Sequence, residues 1–291
     1  MSNRPLQTTL SLALPKGRMQ QSVFDLLKDA GIRIAIDSTN YRPLVSLAGY
    51  ETKILKPQNI VEMLHAGSRD LGFAGADWVT ELDAQLVELL DTGFDPVRVV
   101  AAAASDLLVN GSLPDRHLVV ASEYERLTQS WIQAKALDAT FVRSYGATEV
   151  FPPEDADCIV DNTATGATLR SEQLSVVDEI MLSSTRLYAN PKSFDDPNKR
   201  NRIEEFVLIL RSVLDARLRV MLEVNVHESM LEKLVEILPC MRRPTISPLL
   251  GEKAYAVKVA VPRDQLPTLI PKIKAYGGTD IIVTAPDQLV L

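Results

Sequence analysis

The chain has 291 residues, 46% of them hydrophobic and 24% charged, with a net charge of −7. These are the proportions of a globular protein long enough for two or three domains, and the acidic balance argues against nucleic acid as its main partner. The opening residues lack an export pattern and no run is long enough to cross a bilayer, so a cytoplasmic protein is expected.

Two cysteines in unrelated contexts, Cys158 and Cys240, suit reduced thiols. The histidines (His65, His117 and His227) are scattered and suggest no histidine-rich metal site.

Thr8 to Leu14 alternates and then runs apolar, as a strand entering a covered sheet does. Pro15-Lys16-Gly17-Arg18 breaks it. Met19, Val23, Leu26, Leu27 and Ala30 then recur at helical spacing, with Gly31 as the stop. A strand, a glycine turn and a helix make an anion-friendly junction. Lys16 and Arg18 suit a triphosphate as point charge and fork, and a solvated turn is the plain alternative.

A short helix is expected after Lys56-Pro57-Gln58, with Ile60, Val61 and Leu64 on one side and His65 in its last turn. Asp70-Leu71-Gly72-Phe73-Ala74-Gly75-Ala76-Asp77 reads as a short strand opening into a loop. Asp77 stands where open α/β sheets place ligand-binding residues, or serves as a helix N-cap. Val97 to Ala104 is a candidate crossover strand into a second lobe. Ser122 and Glu125 form a capping-box pattern for a helix with Tyr124, Leu127, Trp131 and Ala134 inward. Thr140 to Arg143 is the next strand, and Glu149 beyond it is a candidate acceptor for hydroxyls.

From Asp157 to Leu169 an apolar strand (Cys158, Ile159, Val160) ends at Asp161, and small and hydroxyl residues follow. Gly166 permits the positive φ that turns backbone N–H groups into a concave nest. A helix from Leu169 would add its own free N–H groups. Thr163, Thr165 and Thr168 can add hydroxyl donors. This pattern suits a phosphate, with Asp161 beside it for a ribose hydroxyl or a metal ion, and an ordinary strand-to-helix turn is the alternative.

Two strands, Val176–Leu182 and Arg186–Ala189, lead to a turn at Asn190-Pro191. A helix from Asn198 is expected to face Ile203, Val207, Leu210 and Leu214 inward, with Lys199, Arg200 and Arg202 solvated. From Arg219 the order becomes βαββαβ, a ferredoxin-like arrangement. Pro271 predicts a late start or a kink in its second helix. Alternation upstream predicts an α/β region of mostly parallel strands.

Taken together, Leu12-Ala13-Leu14-Pro15-Lys16-Gly17-Arg18, the Asp70–Asp77 segment, the Thr-Gly-Ala-Thr-Leu loop and Pro244-Thr245-Ile246-Ser247-Pro248-Leu249 resemble, in order, the signatures of the long-form ATP phosphoribosyltransferases. The resemblance implies a bilobal catalytic region like the type II periplasmic-binding-protein fold, plus an ACT-like ferredoxin domain. Residues 1–97 with 186–216 would form lobe I, 98–185 lobe II, and 217–291 a regulatory domain. It also implies a Mg²⁺-dependent condensation of ATP with phosphoribosyl pyrophosphate, inhibition by L-histidine, and a dimer-based hexamer.

Carried over by motif, Thr163, Ala164, Thr165, Gly166, Ala167 and Thr168 would hold the 5-phosphate, and Glu149 and Asp161 the ribose hydroxyls. Lys16, Gly17, Arg18 and Asp77 would lie toward ATP and pyrophosphate. Asp161 is also the candidate metal ligand. Glu223, Thr245 and Ser247 are candidate polar contacts for histidine.

The attacking atom in such a reaction is a ring nitrogen of ATP, so no side-chain nucleophile is required. The competing reading is a non-catalytic bilobal ligand-binding or regulatory protein. An exported receptor would carry an export signal, and a transcription regulator a helix-turn-helix.

Overall fold

The apolar opening segment forms strand β1 (Leu10–Pro15), with Leu10, Ala13 and Leu14 fully buried. In the computed structural model, which describes residues 8–35 and 41–290, β1 belongs to an eight-stranded mixed sheet. Pro15 and Gly17 end the strand, and α1 (Met19–Asp29) buries Met19, Val23, Leu26 and Leu27 at the expected helical spacing. Each fully buried leucine contributes about 1.5–3 kcal/mol.

A small ribbon of β2 (Ile34–Ala35) and β3 (Leu44–Val45) precedes β4 (Tyr50–Leu55). Helix α2 (Pro57–His65), strand β5 (Leu71–Gly75) and helix α3 (Ala76–Glu81) follow. Strands β4 and β5 flank β1 in parallel.

The expected crossover at Val97–Ala104 is the apolar end of a longer strand, β6 (Val87–Ala104). Its polar first half, with Asp91, Thr92 and Asp95, hid that length. Beyond it lie β7 (Leu118–Ser122), α4 (Glu125–Ala134), β8 (Ala139–Arg143), β9 (Cys158–Thr163) and α5 (Ala167–Ser171). The two strands expected over 176–189 are one, β10 (Leu174–Ala189). Ser183, Ser184 and Thr185 interrupt its apolar pattern at a register shift against β6.

The sheet order is β4-β1-β5-β10-β6-β9-β7-β8. Two long antiparallel strands, β6 and β10, therefore join a β4-β1-β5 half to a β9-β7-β8 half. This is the bilobal type II arrangement with the sheet mixed at its middle. No helix among the described residues is long and apolar enough to cross a membrane.

After α6 (Pro191–Asp195), helix α7 (Pro197–Arg217) buries Ile203, Phe206, Leu210 and Val213. Val207 and Leu214 are only partly covered, so the inward stripe is rotated from the expected one. Nor are its cations simply solvated. Lys199 pairs with the buried Asp70 at 2.6 Å, and Arg202 donates to the carbonyls of Thr8, Ala48 and Gly49. Arg200 pairs at the surface with Glu204.

Residues 8–28, 32–35 and 41–204 form one compact unit; residues 29–31 and 205–290 form a second. The second contains β11 (Arg219–His227), α8 (Leu231–Ile237), β12 (Thr245–Pro248), β13 (Ala254–Pro262), α9 (Leu266–Ala275) and β14 (Thr279–Thr284). Its sheet order, β12-β13-β11-β14, with antiparallel neighbours, is the ferredoxin-like one. Alternate residues of β11 (Val220, Leu222, Val224, Val226) pack under Leu234, Leu269 and Ile273. Helix α9 runs through Pro271 from Leu266, so the expected late start is not met.

Candidate active site

Strand β9 delivers the chain to Thr163, a buried residue whose hydroxyl accepts from the Gly166 N–H at 3.0 Å. The Thr165 hydroxyl accepts from Ala167 N–H at 3.3 Å. Each hydroxyl keeps its own proton to donate elsewhere. Gly166 has φ of 72° and caps α5, which starts at Ala167, two residues earlier than expected. A side chain there would be strained, and its Cβ would stand 3.0 Å from Arg170 Nη1. Arg170 donates to the Thr165 carbonyl at 2.9 Å, closing the loop on its outer side.

Every residue from Asp161 to Leu169 lines one cavity of about 210 Å³, together with Arg18 and Glu149. The first-turn N–H groups of α5 have no intrahelical acceptor. Backbone N–H groups other than those of Gly166 and Ala167, hydroxyl protons and a guanidinium thus surround a space that a phosphate suits.

Asp161 Oδ1 accepts from Asn162 N at 2.7 Å. Burial pushes its carboxyl up to about 6; the Asn162 N–H opposes this, the charges of Glu149 and Glu123 add to it, and Arg18 offsets part. A carboxylate so placed gains from an arriving cation. Among the described residues no three His, Cys, Asp or Glu side chains gather as a metal cage. A divalent cation at this wall would meet Asp161 and would have to take most of its ligands from water and substrate oxygens.

A second recess of about 230 Å³ adjoins the first and shares Arg18 and Asn162 with it. Lys16, Asp77, Trp78 and Ser183 are among its other walls. Gly17 has φ of 86° and nothing near the place of a Cβ, so backbone conformation is what favours glycine there. The turn presents Lys16, with Nζ 3.3 Å from the Tyr41 hydroxyl, and Arg18, with Nη1 3.5 Å from Asn162 Oδ1.

The N-cap of α3 is Gly75, leaving Asp77 in the first turn, buried. Its Oδ1 accepts from Ser183 Oγ and its Oδ2 from the Tyr124 hydroxyl, each at 2.7 Å. The capping box at α4 is likewise absent. Tyr124 is the N-cap, and Ser122 Oγ donates to the Val160 carbonyl. Glu81 instead accepts from the N–H groups of Arg126 and Leu127, both at 3.0 Å. Ala134, expected inward, is exposed.

Sequence reasoning missed Asn162 and Trp78 as cavity walls and Arg170 as the loop's outer brace. It placed Tyr124 in the core without its polar role. The only available signal was a buried-looking tyrosine, whose hydroxyl requires a partner.

In the second unit, Thr245 and Glu223 both stand opposite Lys258 in register, with Lys258 Nζ 2.7 Å from Glu223 Oε1. Ser247, opposite Ala256, lies one row along. The histidine candidates therefore share one sheet face.

Comparison with known proteins fits this geometry. The ATP phosphoribosyltransferase family model matches residues 56–212, and the model for the HisG C-terminal domain matches residues 216–286. The ATP phosphoribosyltransferase of Pelotomaculum thermopropionicum is 37% identical over 278 residues, covering 94% of this chain and 96% of that relative. The enzyme of the same name from Chlorobium luteolum is 36% identical over 279 residues, 94% of each chain. A solved ATP phosphoribosyl transferase (HisG:HisZ) complex from Thermotoga maritima aligns with a TM-score of 0.63 and 27% identity, over 71% of this chain and 99% of that chain. With both family regions matched in order, this chain belongs to the ATP phosphoribosyltransferase family and is a phosphoribosyl-transferring enzyme of histidine biosynthesis.

Proposed function

We propose that the two adjoining recesses bind phosphoribosyl pyrophosphate and ATP side by side, for condensation to N1-(5-phosphoribosyl)-ATP and pyrophosphate. The observation that carries this reading is the closed loop around Gly166, which lines a cavity sharing Arg18 and Asn162 with its neighbour. Thr163 to Thr168 would take the 5-phosphate on N–H and hydroxyl donors. Asp161 and Glu149 would accept from the ribose hydroxyls. Lys16, Gly17 and Arg18, with Asp77 in the wall, would serve ATP and the departing pyrophosphate.

Adenine N1 forms the new bond to ribose C1 as the bond from C1 to the pyrophosphate oxygen breaks. Positive charge develops on the ribose, so alignment and nearby carboxylates do the work and no side-chain nucleophile takes part. Mg²⁺, held by Asp161 with substrate oxygens, would neutralise the pyrophosphate.

The C-terminal unit is proposed to bind L-histidine on the face carrying Glu223, Thr245 and Ser247, and so to inhibit the enzyme. Half-exposed Ile246 and Ile282 on that small unit support association into dimers and a hexamer. Residues 1–97 with 186–216, 98–185 and 217–291 are proposed as the working divisions, and the cytoplasm, where ATP is abundant, as the setting.

The test is product identity. Incubation with both substrates and Mg²⁺ should yield a species with the mass of ATP plus one 5-phosphoribosyl group. Unchanged substrates would refute the reading.

A further inference from the structure

Tyr124 is fully buried, yet its hydroxyl is engaged on two sides. It donates to Asp77 Oδ2 at 2.7 Å and accepts from Asn162 Nδ2 at 3.0 Å. Asp77 comes from α3 on the β5 side, and Ser183 of the joining strand β10 holds its other oxygen. Asn162 comes from β9 on the far side, beside Asp161, and its Oδ1 faces Arg18 at 3.5 Å. The Tyr124 ring stacks on Trp78 of α3, with centroids 4.7 Å apart. One side chain thus ties both lobes and a joining strand to the two residues, Asn162 and Arg18, that the recesses share.

Besides the phenol, Asn162 Nδ2 reaches only Asp161 Oδ1, at a longer 3.4 Å, so without the Tyr124 hydroxyl the amide is held by its weaker contact alone and can turn about its last torsion. With Tyr124 in place, Nδ2 faces the phenol and Oδ1 faces the guanidinium. Burial and the Asp77 charge keep the phenol protonated far above its ordinary range, so its direction of donation is fixed.

We infer that Tyr124 is a positioning residue: through Asn162 it fixes the wall between the two substrate recesses and thereby sets the alignment of the substrates. This rests on the two-recess reading above. It does not assign Tyr124 a substrate contact. The phosphate loop and the Lys16–Arg18 turn hold their substrates by other atoms, so removal of the hydroxyl should affect kcat and leave both KM values nearly unchanged.

The experiment is steady-state kinetics on the full-length protein. Tyr124→Phe keeps the ring on Trp78 and removes the hydroxyl; kcat should fall about tenfold, with each KM within about threefold of wild type. Asn162→Ala, on the cavity wall, should show the same pattern. In that background Tyr124→Phe should add nothing further, because the two act as one unit. Glu81→Gln loosens the same pair of helices without touching Asn162, and should lower the melting temperature while leaving kcat unchanged.

An unchanged kcat in Asn162→Ala, additive losses in the double variant, or an equal kcat loss in Glu81→Gln would each overturn the inference. Should Tyr124→Phe fail to fold, Asn162→Ala alone decides. A wild-type protein without turnover would instead refute the proposed function and leave these comparisons without a baseline, so the two failures are distinct.

Discussion

Gly166 combines a φ of 72° with an Arg170 guanidinium nitrogen 3.0 Å from where a Cβ would stand, so a side chain is strained there on both counts. A left-handed residue with a Cβ costs about 1–2 kcal/mol, and a β-branched one more. Gly166→Val should therefore weaken phosphoribosyl-pyrophosphate binding at least about tenfold, measured by titration calorimetry, with the far-UV spectrum unchanged. Unchanged affinity would remove this loop from the donor site.

Asp70 poses a different question at the same scale. Burial alone would raise its carboxyl, and Lys199, Ser193 and two donors from Ser11 outweigh burial and hold it below the ordinary range. Its folded pKa lies below the unfolded one, so its stabilisation is complete above about pH 5 and fades as pH falls through the folded value. Asp70→Asn should cost about 2–3 kcal/mol at pH 7, with the gap from wild type closing in urea melts as pH falls through the depressed folded value. A gap that persists in acid would assign the loss to packing.

These residues differ in how legible they are in the sequence. Gly166 and the Thr163–Thr168 hydroxyls announce themselves because they are neighbours in the chain. Asp70 with Lys199 and Tyr124 with Asn162 do not, since their partners are distant in sequence and no periodicity links them.

Elements with a single period follow the same rule. Helix α1, strand β5 and the ferredoxin-like unit could be placed from apolar spacing and glycine stops. Strands β6 and β10 could not be delimited, because each crosses from one lobe to the other and changes its surroundings on the way. The polar residues there line a recess or brace its wall: Asp91 is exposed, while the buried Ser183 and Thr185 donate to Asp77 and Asp95. Helix α7 turned its inward stripe toward Phe206 and Val213, which tertiary packing decided. The start of α4 shows the limit of local capping rules. Ser122 is diverted to Val160, and Glu81 supplies the cap from another helix. Glu81→Gln should lower stability by about 1 kcal/mol, a shift of roughly 2–4 °C in melting temperature. No shift would mean that the α4 N–H groups find another acceptor.

At the scale of the whole molecule, the chain joins a bilobal catalytic region to a small α/β unit whose candidate ligand face is a cross-strand row. Thr245, Lys258, Glu223 and Ile282 stand side by side in that row. Glu223→Ala should raise the histidine concentration for half-inhibition severalfold, because a carboxylate that can meet an amino group is lost. An unchanged inhibition curve would move the regulatory site off this face.

The central claim is that two adjoining recesses bring ATP and phosphoribosyl pyrophosphate together, and pyrophosphate release by the purified full-length protein tests it most directly. With ATP, phosphoribosyl pyrophosphate and Mg²⁺ present, release should be steady and proportional to enzyme, and omission of either organic substrate should abolish it. A homogeneous, folded protein that releases no pyrophosphate, or releases it equally without ATP, would contradict the account.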